Sequence, residues 1–240
     1  MSKIADRLKQ IKENVAAACE RSNRPEKAVK LIIVTKTVPL ESVKEVIKLG
    51  CTELGENRVQ QLKQVAADID EFLEQNAGQK NLPKKVNWHM IGHLQRNKVK
   101  QALSICSLIH SVDTLRLAEE INTAAAKIDH KANILLQVNC SGEPQKYGAP
   151  VGAATHLAEQ FSTMNNLRLV GIMTMAPLTM NKDVVRACFI RAREIFEEIK
   201  GERLAGSKFK QLSMGMSQDY EIAIEEGATM LRIGSAIFAG

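Results

Sequence analysis

The sequence predicts an α/β fold, a single (β/α)8 barrel of the TIM type, and three observations carry that expectation. Short apolar runs alternate with helix-period stretches along the whole chain, which implies parallel strands joined by right-handed crossovers. The alternation supplies eight strand candidates within 240 residues, a length that favours a closed barrel over an open doubly wound sheet. Loops of glycine and serine follow the seventh and eighth candidates, where barrels of this class often bind phosphate. No boundary, repeat or low-complexity tract interrupts the pattern, so residues 1–240 read as one domain.

Residues 2–22 place Ile4, Leu8, Ile11, Val15 and Ala18 on one helical stripe, which Arg24-Pro25 ends. The first strand is expected at 31–36, where Leu31-Ile32-Ile33-Val34 reads as buried on both faces. A helix over 41–49 stops at Gly50, and 51–54 is a short second strand running into Gly55-Glu56-Asn57-Arg58. A helix over 58–75 and a polar loop at 76–81 lead to the third strand, 86–91. Then come a helix at 95–102, a strand at 107–110, a helix at 113–128 and the apolar strand 134–138. The loop Gly142–Gly148 has the glycine and proline of an irregular functional segment; Tyr147 within it can affect access to a site. A helix at 151–163, a strand at 169–173, a helix at 182–200, a strand at 210–212, a helix at 217–226 and a strand at 230–233 complete the series. The residues after 233 are too few for a full eighth helix, so the N-terminal helix is expected to cover that seam.

Composition narrows the function. The net charge is +6, yet only 4% of residues are aromatic and the basic residues are interspersed with acidic ones. That favours a mildly basic solvated surface and a small phosphorylated ligand over a nucleic-acid face. Five scattered cysteines without a C-x-x-C pair, no apolar signal core and no membrane-length apolar run fit a reduced, cytoplasmic protein.

The chemistry centres on Lys36. At the mouth of a buried strand, half out of water, a lysine can supply the free amine that Schiff-base formation requires; position alone favours an edge lysine reaching solvent. Ser213-Met214-Gly215-Met216-Ser217 and Arg232-Ile233-Gly234-Ser235 are two candidate phosphate loops, with backbone N–H groups freed by glycine and hydroxyls from Ser213 and Ser235. Ser217 is expected to cap the following helix, with Asp219 in its first turn. Strand parity leaves open whether Arg232 points into the mouth or outward, and Asn57 either orients a ligand or caps the next helix. His89 and His93 lie about 13 Å apart if extended, too far for one ion, so no metal site is expected. There is no Walker loop, no G-x-G-x-x-G and no serine nucleophile elbow.

Taken together, these stretches resemble the pyridoxal phosphate homeostasis protein family. The resemblance runs through Val34-Thr35-Lys36, Gly55-Glu56-Asn57-Arg58, Trp88–Lys98, Gly171–Met175, Leu212–Asp219 and Arg232–Phe238. It implies a barrel like the N-terminal domain of alanine racemase, without that enzyme's second domain. It further implies that pyridoxal 5'-phosphate (PLP) is held as a Schiff base on Lys36. Ser213, Met214, Gly215, Gly234 and Ser235 would surround its phosphate. Arg232 would face the ring nitrogen or the phosphate, and Asn57, His89 and Met173 would line the ring. An arginine at the ring nitrogen disfavours its protonation and weakens the ring as an electron sink. Two places depart from the family pattern: Ala239 stands where a glycine is expected after Phe238, and Pro144-Gln145 is an uncommon form of its loop.

The resemblance points to a PLP carrier serving intracellular PLP homeostasis, a monomer or weak homodimer that hands the cofactor to apo-enzymes. The alternative is a racemase-type PLP enzyme. That chemistry needs a second acid–base opposite the lysine, a tyrosine in alanine racemase, and neither Tyr147 nor Tyr220 stands in a matching motif. A Schiff-base aldolase would not be expected to carry its lysine on the first strand.

Overall fold

A computed structural model describes residues 2–239; Met1 and Gly240 lie outside the described residues, including the last position of the 1–240 expectation and of the Phe238-Ala239-Gly240 ending. Eight strands form the barrel: β1 Lys30–Val34, β2 Glu53–Glu56, β3 Asn87–Met90, β4 Cys106–Val112, β5 Ala132–Asn139, β6 Leu167–Met173, β7 Gln211–Ser213 and β8 Met230–Ile233. Each pairs in parallel with the next, and the ring closes through β8 and β1, with Ile33 opposite Ile233. A two-residue strand, Ala149–Pro150, pairs with the end of β5 at Val138 and Asn139. The helices are α1 Lys3–Arg21, α2 Leu40–Lys48, α3 Val59–Gln75, α4 Val99–Leu103, α5 Leu115–Ala126, α6 Ala154–Ser162, α7 Lys182–Gly201, α8 Tyr220–Glu225 and α9 Ser235–Phe238.

Alternation along the strands separates two apolar populations. Ile33, Leu54, Trp88, Ile109, Leu136, Ile172, Leu212 and Leu231 face outward into the main core beneath the helices. Ile32, Leu108, Leu135, Met173 and Met230 face inward and form a small separate cluster inside the ring. The interior is therefore only partly apolar, and polar side chains fill the rest of it.

Helix α1 lies across the β8–β1 seam and packs on α8 and α9, as expected for a barrel short of an eighth crossover helix. Asn14 donates to the Tyr220 hydroxyl at 2.8 Å, and Arg24 reaches the carbonyls of Ile224 and Ala228 at 2.6 and 2.8 Å.

Several boundaries differ from the sequence reading for local reasons. Strand β2 starts at Glu53, not Cys51. Gly50 takes φ +86, and the N–H groups of Gly50 and Cys51 turn back to the carbonyls of Ile47 and Val46 to cap α2. The helix expected at 95–102 opens as a 3₁₀ turn, Arg96–Lys98, before α4. The helix expected from 217 begins at Tyr220, because Ser217 and Asp219 are engaged in the loop before it.

Candidate functional site

The C-terminal ends of β1, β7 and β8 meet at one rim of the barrel. Strand β1 ends at Val34, two residues short of the expected boundary. Thr35 still donates its N–H to Gly55 O at 3.0 Å, and Val38 N–H then closes a turn on Thr35 O at 3.1 Å. Positive φ at Thr37 (+60) gives this turn its type II shape, an unusual conformation for a β-branched residue. Lys36 is thus held on a tight turn and is exposed, rather than half-buried at the end of a strand.

The β7 loop packs closely. Gly215 has φ +91, and a Cβ there would lie 2.6 Å from the Ala223 Cβ, so only glycine fits. The Met214 side chain points into the outer core, which leaves its backbone alone at the loop. Gly234, opening the β8 loop, lies against β1: a Cβ there would stand 3.0 Å from Val34 O. Ser217 does not cap α8; its hydroxyl accepts the Ala236 N–H at 3.1 Å and ties the two loops together. Asp219 accepts the Met216 N–H at 2.5 Å. Among the described residues, the backbone N–H groups of Gly215, Gly234 and Ser235 find no acceptor, so two adjacent loops present free donors beside Lys36.

Arg232 resolves the parity question by pointing inward. It is 4% exposed and donates to Ser213 Oγ at 2.6 Å and Thr174 O at 2.8 Å. Both acceptors are neutral, and no carboxylate among the described residues forms an ion pair with it. Burial lowers its pKa to about 10, while Asp219 works weakly the other way. A buried guanidinium with only neutral partners and spare donors is an uncompensated cation, a costly arrangement unless an anion or a strong acceptor joins it.

The remaining expected residues divide. Asn57 does not cap α3, whose N-cap is Arg58 without a side-chain bond; the Asn57 backbone instead packs on Gly92, where a Cβ would fall 2.3 Å from Asn57 O. Met173 is buried in the inner cluster at the end of β6. His89 is buried with both ring nitrogens engaged, Nε2 with Glu53 Oε2 at 2.7 Å and Nδ1 with His110 Nε2 at 2.9 Å. His93 stays at the rim and stacks on Tyr147 with ring centroids 4.1 Å apart, joining the β3 and β5 loops across the opening.

Sequence reasoning missed Glu53, Glu56, His110 and Thr174. His110 was visible as a polar residue within an apolar strand, on the inward parity of Leu108. Thr174 lay within the Gly171–Met175 stretch, but its part here is a backbone carbonyl, which residue type does not mark.

This site has relatives. Residues 7–240 match the family described as alanine racemase, N-terminal domain, and that match agrees with the barrel. A pyridoxal phosphate homeostasis protein of Aquifex aeolicus is 39% identical over 233 residues, 97% of this chain and 96% of its own. Two solved structures align closely. An unknown protein from Bifidobacterium adolescentis has TM-score 0.91 and 32% identity, covering 98% of this chain and 94% of its own. PipY of Synechococcus elongatus PCC7942, determined with PLP bound, has TM-score 0.81 and 31% identity, covering 98% of this chain and 100% of its own. The chain belongs to the pyridoxal phosphate homeostasis protein family.

Proposed function

We propose that this chain is a single barrel domain over residues 1–240 that binds PLP at the rim and takes part in intracellular PLP homeostasis. In this reading Lys36 holds the cofactor as a Schiff base, and the free N–H groups of Gly215, Gly234 and Ser235, with the loop at Ser213 and Met214, receive the phosphate. Arg232 supplies the buried positive charge, and Asn57, His89 and Met173 bound the ring side. PLP brings an aldehyde that condenses with a primary amine. The protein's part is to present that amine, neutralise the phosphate and exclude water around the ring.

The observation that carries this reading is Arg232, a buried cation without a carboxylate partner, next to two loops with free backbone donors. An anionic ligand at the rim supplies what both lack. Holding suits the site better than turnover. The Tyr220 hydroxyl accepts from Asn14 behind the barrel, and Tyr147 lies stacked on His93. We place the protein in the cytoplasm, as a monomer or weak homodimer that passes PLP to apo-enzymes. No helix among the described residues is long and apolar enough to cross a membrane.

The test is the visible spectrum of the purified protein with and without added PLP, before and after borohydride. Borohydride should fix the cofactor on Lys36, and Lys36→Ala should lose the absorbance band while staying folded. A wild type that stays colourless with PLP overturns the reading; racemase turnover abolished by Lys36→Ala would favour the enzyme alternative.

A further inference from the structure

Inside the barrel a continuous line of side-chain hydrogen bonds runs from the floor to the site. At the floor, Glu53 Oε1 receives Lys30 Nζ at 2.9 Å and Asn87 Nδ2 at 3.1 Å, and Glu53 Oε2 meets His89 Nε2 at 2.7 Å. His89 Nδ1 meets His110 Nε2 at 2.9 Å, and His110 Nδ1 meets Ser213 Oγ at 3.0 Å. Arg232 completes the line on Ser213 at 2.6 Å. Five strands contribute the line from Glu53 to Arg232, and His89, His110, Ser213 and Arg232 are all buried.

With one hydrogen on each ring, the two ends admit a single direction for every bond. A guanidinium only donates, so Ser213 Oγ accepts from Arg232 and turns its own hydrogen to His110 Nδ1. His110 then carries its hydrogen on Nε2 and donates to His89 Nδ1. His89 in turn carries its hydrogen on Nε2 and donates to Glu53. From the other end, an ionised carboxylate only accepts, and with a single hydrogen on His89 the same order follows. Burial opposes ionisation of Glu53, but the hydrogen bonds from His89, Lys30 and Asn87 outweigh it and hold its pKa at about 2. Burial above all keeps His110 neutral, with its pKa well below the usual histidine range. The order then runs one way, from a fixed cation to a fixed anion through the two rings.

We propose that Glu53, His89 and His110 are positioning residues for the ligand site: they lock the Ser213 hydroxyl hydrogen inward, so that the mouth meets the Ser213 oxygen already bonded to Arg232. This rests on the reading of Ser213 and Arg232 as part of a PLP site and extends it to the barrel floor. An added proton on the histidine pair makes His110 Nδ1 a donor. The Ser213 hydrogen must then swing toward the mouth, where it competes with Arg232 for the ligand. The state of Glu53 at the floor is therefore read at the rim through four bonds.

The experiment is ¹⁵N NMR of histidine-labelled protein at neutral pH, paired with equilibrium dialysis against PLP. In the wild type both rings should carry hydrogen on Nε2 and none on Nδ1. Glu53→Gln, assayed where circular dichroism shows it folded, should give a mixed or reversed tautomer in at least one ring and retain PLP about tenfold more weakly. A ring with hydrogen on Nδ1 in the wild type overturns the proposal, and that measurement stands even if the variant does not fold. Unchanged rings and retention in folded Glu53→Gln overturn it as well. A wild type that binds no PLP sinks the cofactor reading instead, and the wild-type tautomers still decide the order of the spine.

Discussion

The Thr35 hydroxyl donates to Glu56 Oε1 at 2.5 Å, joining the ends of β1 and β2 directly below the turn that carries Lys36. Glu56 is fully buried, its Oε2 has no partner among the described residues, and burial raises its pKa despite bonds from Thr35 and the Asn57 backbone. A raised carboxyl stabilises the fold below its unfolded pKa, and that contribution is lost as pH rises through the folded value. Glu56→Gln keeps the Thr35 bond without a charge to bury, so it should raise Tm at pH 7 by about 2–4 °C. Glu56→Ala should cost about 1–3 kcal/mol by stranding Thr35. Differential scanning calorimetry distinguishes the two outcomes; a large loss in Glu56→Gln would show that the charge itself is needed.

The histidine spine predicts acid sensitivity. His110 has a folded pKa below its unfolded value, so the unfolded chain takes up a proton first as pH falls below about 6.5. Stability is present above that pH and falls by about 1.4 kcal/mol per pH unit for the one proton. Glu53, held at about 2, adds its own loss as pH drops below about 4.5. Urea unfolding across pH 7 to 5 should show the slope in the wild type, and His110→Asn should flatten it.

Gly215 joins backbone strain to close packing. Gly215→Ala must place a Cβ 2.6 Å from Ala223 at φ +91, which should cost about 1–3 kcal/mol and weaken PLP retention more than an exposed substitution does. Thermal unfolding and dialysis check both. An alanine variant with wild-type retention would show that the loop tolerates a shift.

Lys36 offers the opposite case. Its side chain is exposed, so Lys36→Ala should alter stability by no more than about 0.5 kcal/mol while removing the borohydride-fixed cofactor. A destabilised Lys36→Ala would mean that the lysine also braces its turn.

The barrel was legible because each strand run is short, apolar and followed by a helical stripe, and these signals are local. The two glycine loops at the rim were legible for the same reason, since Gly215 and Gly234 mark them in sequence. The spine was not. Glu53, His89, His110 and Ser213 come from four strands, and only barrel closure brings them into line. Strand ends were misjudged where loop chemistry intervenes, as at Cys51, used to cap α2, and at Lys36, carried on a turn by Thr37. Ser217 looked like a helix cap because the nearest helix in sequence is α8, yet its hydroxyl serves the start of α9.

The pairing of β1 with β8 has a kinetic meaning. Lys30 lies opposite Met230, so the lysine turn and the β8 loop come together only after some two hundred intervening residues have been laid down and ordered. On a ribosome the first strand waits beside an unfinished sheet while α1 has nothing to cover. The rim where these two loops meet is therefore among the last parts of the molecule to exist, and a nascent or torn-open barrel would lack it altogether. With the cofactor held at this rim as proposed, its capture would double as a signal that the ring has closed.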